Sequence, residues 1–147
     1  MIPIIVLAVL SLDQLTKFLS TRYISPQHSV AVVKNVFHLT LVFNRGAAFG
    51  ILKNQVPLFI LTSFLAIILV CFNLKEEKYG RLYKVSLALI LGGAVGNMID
   101  RVIFGHVIDF LDFRIWPVFN IADSAISIGT VMLAWCILRP KNAVHSS

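Results

Sequence analysis

Four apolar runs, at residues 2–19, 56–74, 85–99 and 121–138, set the terms for any fold of this chain. With their flanks they reach the roughly 20 residues that a helix needs to cross the hydrocarbon core of a bilayer. In that solvent every backbone polar group must be satisfied internally, so runs of this length that do not alternate specify spanning helices. Only 14% of the residues are charged and 58% are apolar, which sets the chain apart from a soluble domain. The mean hydropathy, +0.86, agrees. Four spans and their connections use up the length, so residues 1–147 read as one integral membrane domain.

The first run could be taken for a secretory signal. No basic residue precedes it, no small-x-small cleavage site follows it, and Asp13 and Lys17 stand at its far end, so it is expected to stay as the first helix. The net charge of +6 does not point to nucleic acid, because the 13 basic residues are scattered and mostly close apolar segments, where they anchor at lipid headgroups. Cys71 and Cys136 lie isolated in apolar runs, without a CxxC, and are expected to be buried spectators.

Between residues 21 and 53 the period changes. Phe37, Leu39, Leu41 and Phe43 alternate with Val36, His38, Thr40 and Val42, the spacing of a strand, and a small sheet at the membrane surface follows. Asn44-Arg45-Gly46 supplies turn chemistry, and the second span then starts with Pro57 in its first turn. Residues 75–84 hold four basic and two acidic residues, the densest charge in the chain, and read as a cytoplasmic loop. Both termini then lie in the cytoplasm. A bare count of basic residues, six inside and seven outside, does not decide this; their density does.

Of the seven acidic residues, Glu76 and Glu77 lie in that loop, whereas Asp13, Asp100, Asp109, Asp112 and Asp123 sit in or beside apolar segments. A carboxylate at the centre of a spanning helix costs roughly 2.5 to 3.5 kcal/mol, less near the ends, so these groups must be paired, wet or functional. Asp13 and Lys17 stand four apart with the acid first, the favourable order for a structural ion pair. The third and fourth spans each carry Asn-x-x-Asp, as Asn97 to Asp100 and Asn120 to Asp123, which places amide and carboxylate one helical turn apart on one face. Gly92 and Gly96 form a small-xxx-small pair that permits close helix contact. Asp109, in the connection between these spans and flanked by Ile108 and Phe110, can fold back over the same place. Two close carboxylates cannot both ionise cheaply; they share a proton and can activate water.

Other chemistries fit less well. There is no HExxH and no Gly-rich phosphate loop, and His106 is the one histidine near the acids, so no metal or cofactor is expected. A Ser-Lys dyad using Ser124 or Ser127 would need Lys17, which Asp13 is expected to hold. A small proton-coupled transporter would place its acids nearer the bilayer midplane and in broken, repeated helices.

Five motifs in order resemble the lipoprotein signal peptidase (signal peptidase II) family: Asp13 to Lys17, Asn44 to Gly50, Gly92 to Arg101, Val107 to Phe110, and Phe119 to Asp123 with Ser124 and Gly129 following. The resemblance covers nearly the whole chain. It implies an all-α membrane protein with four transmembrane helices and a small periplasmic β-sheet at the membrane surface. It also implies a cofactor-free aspartyl endopeptidase that removes signal peptides from diacylglyceryl-modified prolipoproteins, cutting before the lipid-modified Cys. By motif, Asp109 and Asp123 are the catalytic pair, and Asn44, Asn97, Asp100, Arg101 and Asn120 line or support the site. Arg101 could form an ion pair or meet a lipid headgroup. Implied partners are the prolipoprotein substrates and membrane lipid, with the enzyme a monomer in the bacterial inner membrane and its site near the periplasmic face. The connection from Asp109 to Asp123 is a few residues shorter than is typical of the family.

Overall fold

A computed structural model describes residues 1–26, 28–46, 54–74 and 80–139. Among these, four helices are long and apolar enough to cross a bilayer: α1 (Ile2–Tyr23), α2 (Val56–Leu74), α3 (Arg81–Phe104) and α4 (Ile121–Leu138). The 75–84 loop falls partly, and Ala47 to Gly50, Lys53 and Lys141 wholly, outside the described residues. α3 exceeds the span expected from hydropathy at both ends. It starts at Arg81, and it runs past Asp100 and Arg101 to Phe104, where Gly105 takes the left-handed conformation (φ 71°) that glycine adopts without penalty. Polar residues end a hydropathy run, but they do not end a helix whose polar face is buried.

Three antiparallel strands, β1 (Ser29–Val33), β2 (Phe37–Asn44) and β3 (Val107–Asp112), form a sheet in the order β1-β2-β3. β2 is the strand expected from alternation, and the Gly46 amide closes its turn by donating to Asn44 Oδ1 at 2.9 Å. β3 corrects the expectation that Asp109 lies in a loop. Val107-Ile108-Asp109-Phe110-Leu111 has strand composition, but what makes it a strand is its pairing with β2, Val42 opposite Asp109 and Asn44 opposite Val107, more than 60 residues away in the chain. Ile24, Leu41 and Ile108 pack between the sheet and the end of α1.

α3 is the hub, touching each of the other helices. Its small residues divide the work: Gly92 faces Val9 and Gly96 faces Asp13 on α1, whereas Gly93 meets the Ala122 carbonyl and Ile126 on α4. At the far end Val70, Tyr83 and Leu87 join α2 to α3, with Leu133 and Cys136 of α4 against them. Cys71 corrects the expectation of burial: it is exposed on α2, in company with Leu61, Leu65, Leu69 and Phe72. These apolar side chains have hydrocarbon as their solvent. The interior is the polar part: among the described residues the largest side chains buried almost completely are Lys17, Asn120, Asp13, Asp100, Asp109 and Ser86.

Because a methyl group on Gly93 would press on the Ala122 carbonyl oxygen and lie 2.8 Å from Ile126 Cγ1, Gly93→Ala should force α3 and α4 apart. Overpacking of this kind costs about 1–3 kcal/mol. The variant should unfold at lower temperature in detergent and lose activity, since the same contact sets the spacing of Asn97 and Asp123. An unchanged melting temperature would show that the packing gives way without cost.

Candidate active site

The site grows from the middle of α3 outward. Lys17 Nζ, on α1, has three protons and three acceptors: Asp13 Oδ2 at 2.8 Å, Asp100 Oδ2 at 2.8 Å and Asn97 Oδ1 at 3.1 Å. The pairing of Asp13 with Lys17 is as the sequence spacing predicts, but its setting is not a helix surface. Asp13 is fully buried, and its Oδ1 accepts the Ala122 amide at 2.9 Å, so a carboxylate of α1 caps the first turn of α4 and meets the positive end of that helix. Asp100 likewise acts on a neighbour, accepting the Ile108 amide at 3.0 Å and so fixing the start of β3. Gln14, which no spacing rule singles out, ties the two acids together by donating to Asp100 Oδ1 at 3.1 Å and Asp13 Oδ2 at 3.2 Å.

Asn120 is not inside α4, as the Asn-x-x-Asp spacing suggests; it is the N-cap. Its Oδ1 accepts the Asp123 amide at 2.9 Å, which frees its Nδ2 to reach Asp109 Oδ1 at 2.7 Å, Asn97 Oδ1 at 3.1 Å and the Ile108 carbonyl at 3.2 Å. Asn97 Nδ2 donates to Asp123 Oδ1 at 2.8 Å, and Asn44 Nδ2, at the end of β2, donates to Asp109 Oδ2 at 3.0 Å. Each carboxylate of the expected pair therefore accepts from at least one asparagine amide.

A cavity of about 330 Å³ opens over them, lined by Asn44, Asn97, Arg101, Asp109 and Asp123 together with Phe59 and Trp116. Five of the seven residues that the motifs assign to the site meet here; Asn120 lies buried beneath and Asp100 faces Lys17. Arg101 closes no ion pair among the described residues. Its guanidinium lies 5.2 Å from the centroid of the Phe59 ring on α2 and its Nη1 reaches the Asn97 carbonyl at 3.5 Å, so an aromatic ring of a helix distant in sequence aims it at the cavity. Two further cavities adjoin Asp123. One, of about 490 Å³, is mostly apolar and runs along Phe113, Ile115, Trp116, Phe119 and Ile128. The other, of about 310 Å³, lies between α2, α3 and α4 beside Thr62, Ala66, Ile90 and Ile126.

Burial, reinforced by the charge of Asp123, pushes the Asp109 carboxyl up to about 7, against the amide donors Asn44 and Asn120 and the charge of Lys17. Asp112 behaves differently. It is covered at the sheet yet nearer the water than Asp109; burial alone would raise it, but donors on Thr40 (2.8 Å) and Arg114 (backbone 2.8 Å, guanidinium 3.2 Å) together hold it below the ordinary carboxylate range. Among the described residues no three His, Cys, Asp or Glu side chains converge as a metal site, and the His106 ring packs edge-on against Phe43 at 4.8 Å.

Fold and cavity together define a polytopic membrane protein with a carboxylate-lined pocket. Two solved structures described as bacterial membrane enzymes superpose on it: one at a TM-score of 0.91 and 31% identity, over 99% of this chain and 93% of that one, the other at 0.85 and 32%, over 94% and 92%. Residues 5–139 match the family described as signal peptidase (SPase) II. The lipoprotein signal peptidase of Moorella thermoacetica is 47% identical over 93% of this chain and 92% of its own length, and that of Burkholderia mallei 48% over 90% and 84%. The chain belongs to the signal peptidase II family and is a peptidase.

The raised Asp109 carboxyl has a consequence for stability. Its value in the unfolded chain is about 3.9, so the stability linked to its protonated form is fully present below that pH and is lost as pH rises through about 7. Asp109→Asn removes the titration. The melting temperature of the variant should gain on that of the parent between pH 5 and pH 8; a constant difference across that range would show that Asp109 titrates at its ordinary value.

Proposed function

We propose that this chain is an aspartic endopeptidase of the bacterial inner membrane that cleaves diacylglyceryl-modified prolipoproteins before the lipid-modified Cys, with Asp109 and Asp123 as its catalytic pair. One observation carries the reading: of the five aspartates, Asp109 and Asp123 line the cavity, whereas Asp13 and Asp100 are turned to Lys17 and Asp112 to Arg114. Function as a lipoprotein signal peptidase in the relatives supports the substrate class. A proton-coupled transporter is not favoured, because Asp100, Asp109 and Asp123 gather where α3 ends, β3 runs and α4 begins, rather than along the length of the bundle.

In this mechanism the pair holds one proton between its two carboxyl groups. Water lying between them gives a proton to the ionised aspartate as its oxygen bonds to the carbonyl carbon of the residue before the Cys. The protonated aspartate donates to the carbonyl oxygen. When the tetrahedral intermediate collapses, the C–N bond breaks, the proton gained from water passes to the departing amine, and the aspartate that had donated takes a proton back from a hydroxyl of the intermediate as the carbonyl re-forms, which returns the pair to its starting state. Asn97, Asn120 and Asn44 hold the carboxylates in place throughout. The acyl chains of the modified Cys would lie in the apolar cavity beside Trp116 and Phe119, and the signal segment in the groove between α2, α3 and α4; neither then has to leave hydrocarbon. The enzyme works as a monomer, with membrane lipid as its surroundings.

Asp109→Asn and Asp123→Asn should each abolish cleavage of a lipid-modified peptide by purified protein. General acid and base groups contribute about 10² to 10⁴-fold apiece, but groups acting as one unit are far from additive, so the double variant should be scarcely worse than either single one. Asp112→Asn should retain turnover. Near-normal cleavage by Asp109→Asn would remove that residue from the pair.

Density of charge in residues 75–84 supports cytoplasmic termini and a periplasmic site. In a background lacking Cys71 and Cys136, Asn35→Cys should be labelled by an impermeant thiol reagent applied from the periplasmic side, and Lys78→Cys should not. Reversed labelling would invert the orientation.

A further inference from the structure

We propose that Lys17 is a positioning residue for the reaction: its ammonium fixes which end of the Asn97 amide faces the carboxylate pair, so that Asn97 presents N–H, and not oxygen, to Asp123. The inference rests on Asp109 and Asp123 being that pair.

An asparagine side chain is nearly symmetric in shape, and only its partners decide which end is oxygen. At Asn97 the deciding partner is Lys17. An ammonium has three donors and no acceptor, and two of its protons are committed to Asp13 and Asp100. The third points at Asn97, which must meet it with Oδ1, at 3.1 Å. Nδ2 of Asn97 is thereby turned to Asp123 Oδ1, at 2.8 Å. The constraint then passes on. The same Asn97 Oδ1 faces Asn120 at 3.1 Å, so Asn120 must answer with Nδ2, whose remaining reach is to Asp109 Oδ1 at 2.7 Å and the Ile108 carbonyl; its own Oδ1 is left to cap the Asp123 amide at 2.9 Å. Its two protons serve three acceptors, so one is shared. From one lysine, Asn97 and the donor to Asp123 are set in series, and Asn120 is held in the matching sense both by Asn97 and by the Asp123 amide that it caps. Were Asn97 to turn over, its oxygen would face the Asp123 carboxylate and its N–H groups the ammonium, two repulsive contacts in a dry interior.

The chemical effect is on the charge state of the pair. N–H donors favour an ionised carboxylate, and an amide oxygen in their place favours a protonated one. Losing the donor at Asp123 should therefore raise both macroscopic pKa values of the pair. The charged groups that face it are Lys17, with Asp13 behind, from α1, and Asp100 and Arg101 from α3; β2 contributes Asn44, and α2 carries no charge.

The test uses cleavage of a diacylglyceryl-modified peptide by the full chain in detergent, with kcat/KM followed against pH. Lys17→Met with Asp13→Asn removes the donor and one buried acid together, so the charge of the cluster does not change. Its kcat should fall about tenfold or more with KM little altered, and both limbs of the pH profile should move up by about one unit. Lys17→Arg keeps a donor-only cation and should leave the limbs where they are. In an Asn97→Ala background, where the middle link is gone, the same pair of changes should move the limbs no further. Loss of activity with unmoved limbs would make Lys17 purely structural, and a further shift in the Asn97→Ala background would make it a through-space charge; either result overturns the proposal. If the double variant does not fold, Lys17→Arg decides alone, unmoved limbs supporting the proposal and shifted limbs overturning it. Failure of the pair itself is a separate result, read from Asp109→Asn or Asp123→Asn that still turns over.

Discussion

The Lys17 ammonium, held by Asp13 and Asp100 in the interior of a membrane protein, is the interaction on which the rest of the structure depends. Desolvating such charges is expensive, and their mutual attraction compensates only when every donor and acceptor is used. Here they are: the lysine spends three protons, Asp13 also accepts from α4, and Asp100 also accepts from the start of β3. One cluster therefore ties α1, α3, α4 and the sheet to a common point. Removing Lys17 would leave two buried carboxylates without their cation, and breaking a buried pair in this way costs about 3–5 kcal/mol. Hydrophobic burial cannot supply that specificity here, because lipid is as good a solvent for leucine as another leucine is.

The small residues of α3 make the cluster possible. Gly92 and Gly96 bring α1 close enough for Asp13 to reach past α3 to the Ala122 amide, and Gly93 brings α4 close enough for Asn97 to reach Asp123. The sheet adds what the helices lack. β3 begins on an amide fixed by Asp100 and carries Asp109 over the end of the bundle, and β2 delivers Asn44 to its other oxygen. A carboxylate on a strand and a carboxylate on the first turn of a helix thus face one cavity, held from below by amides and open above to apolar surface.

Much of this is legible in the chain alone. The pairing of Asp13 with Lys17 follows from helical spacing, and the five motifs in order indicate the family. Other features were not legible because their partners are distant in the chain. β3 exists as a strand through β2, Gln14 matters only because α3 brings Asp100 beside it, and Phe59 bears on the site only through Arg101. The Asn120 to Asp123 spacing is the same whether Asn120 lies within the helix or caps it, and only the backbone distinguishes the two.

By itself, the sequence determined that the chain crosses a bilayer with four helices, because run length and hydropathy answer to the solvent and need no partner. It also determined that its five aspartates must be compensated, because a charge in that solvent cannot stand alone. Beyond Asp13 with Lys17, which aspartate meets which partner was decided only by the tertiary structure. Pairing depends on distances of about 3 Å between groups up to 109 positions apart, and these arise from how closely glycines let α1 and α4 approach α3. No local pattern encodes that approach.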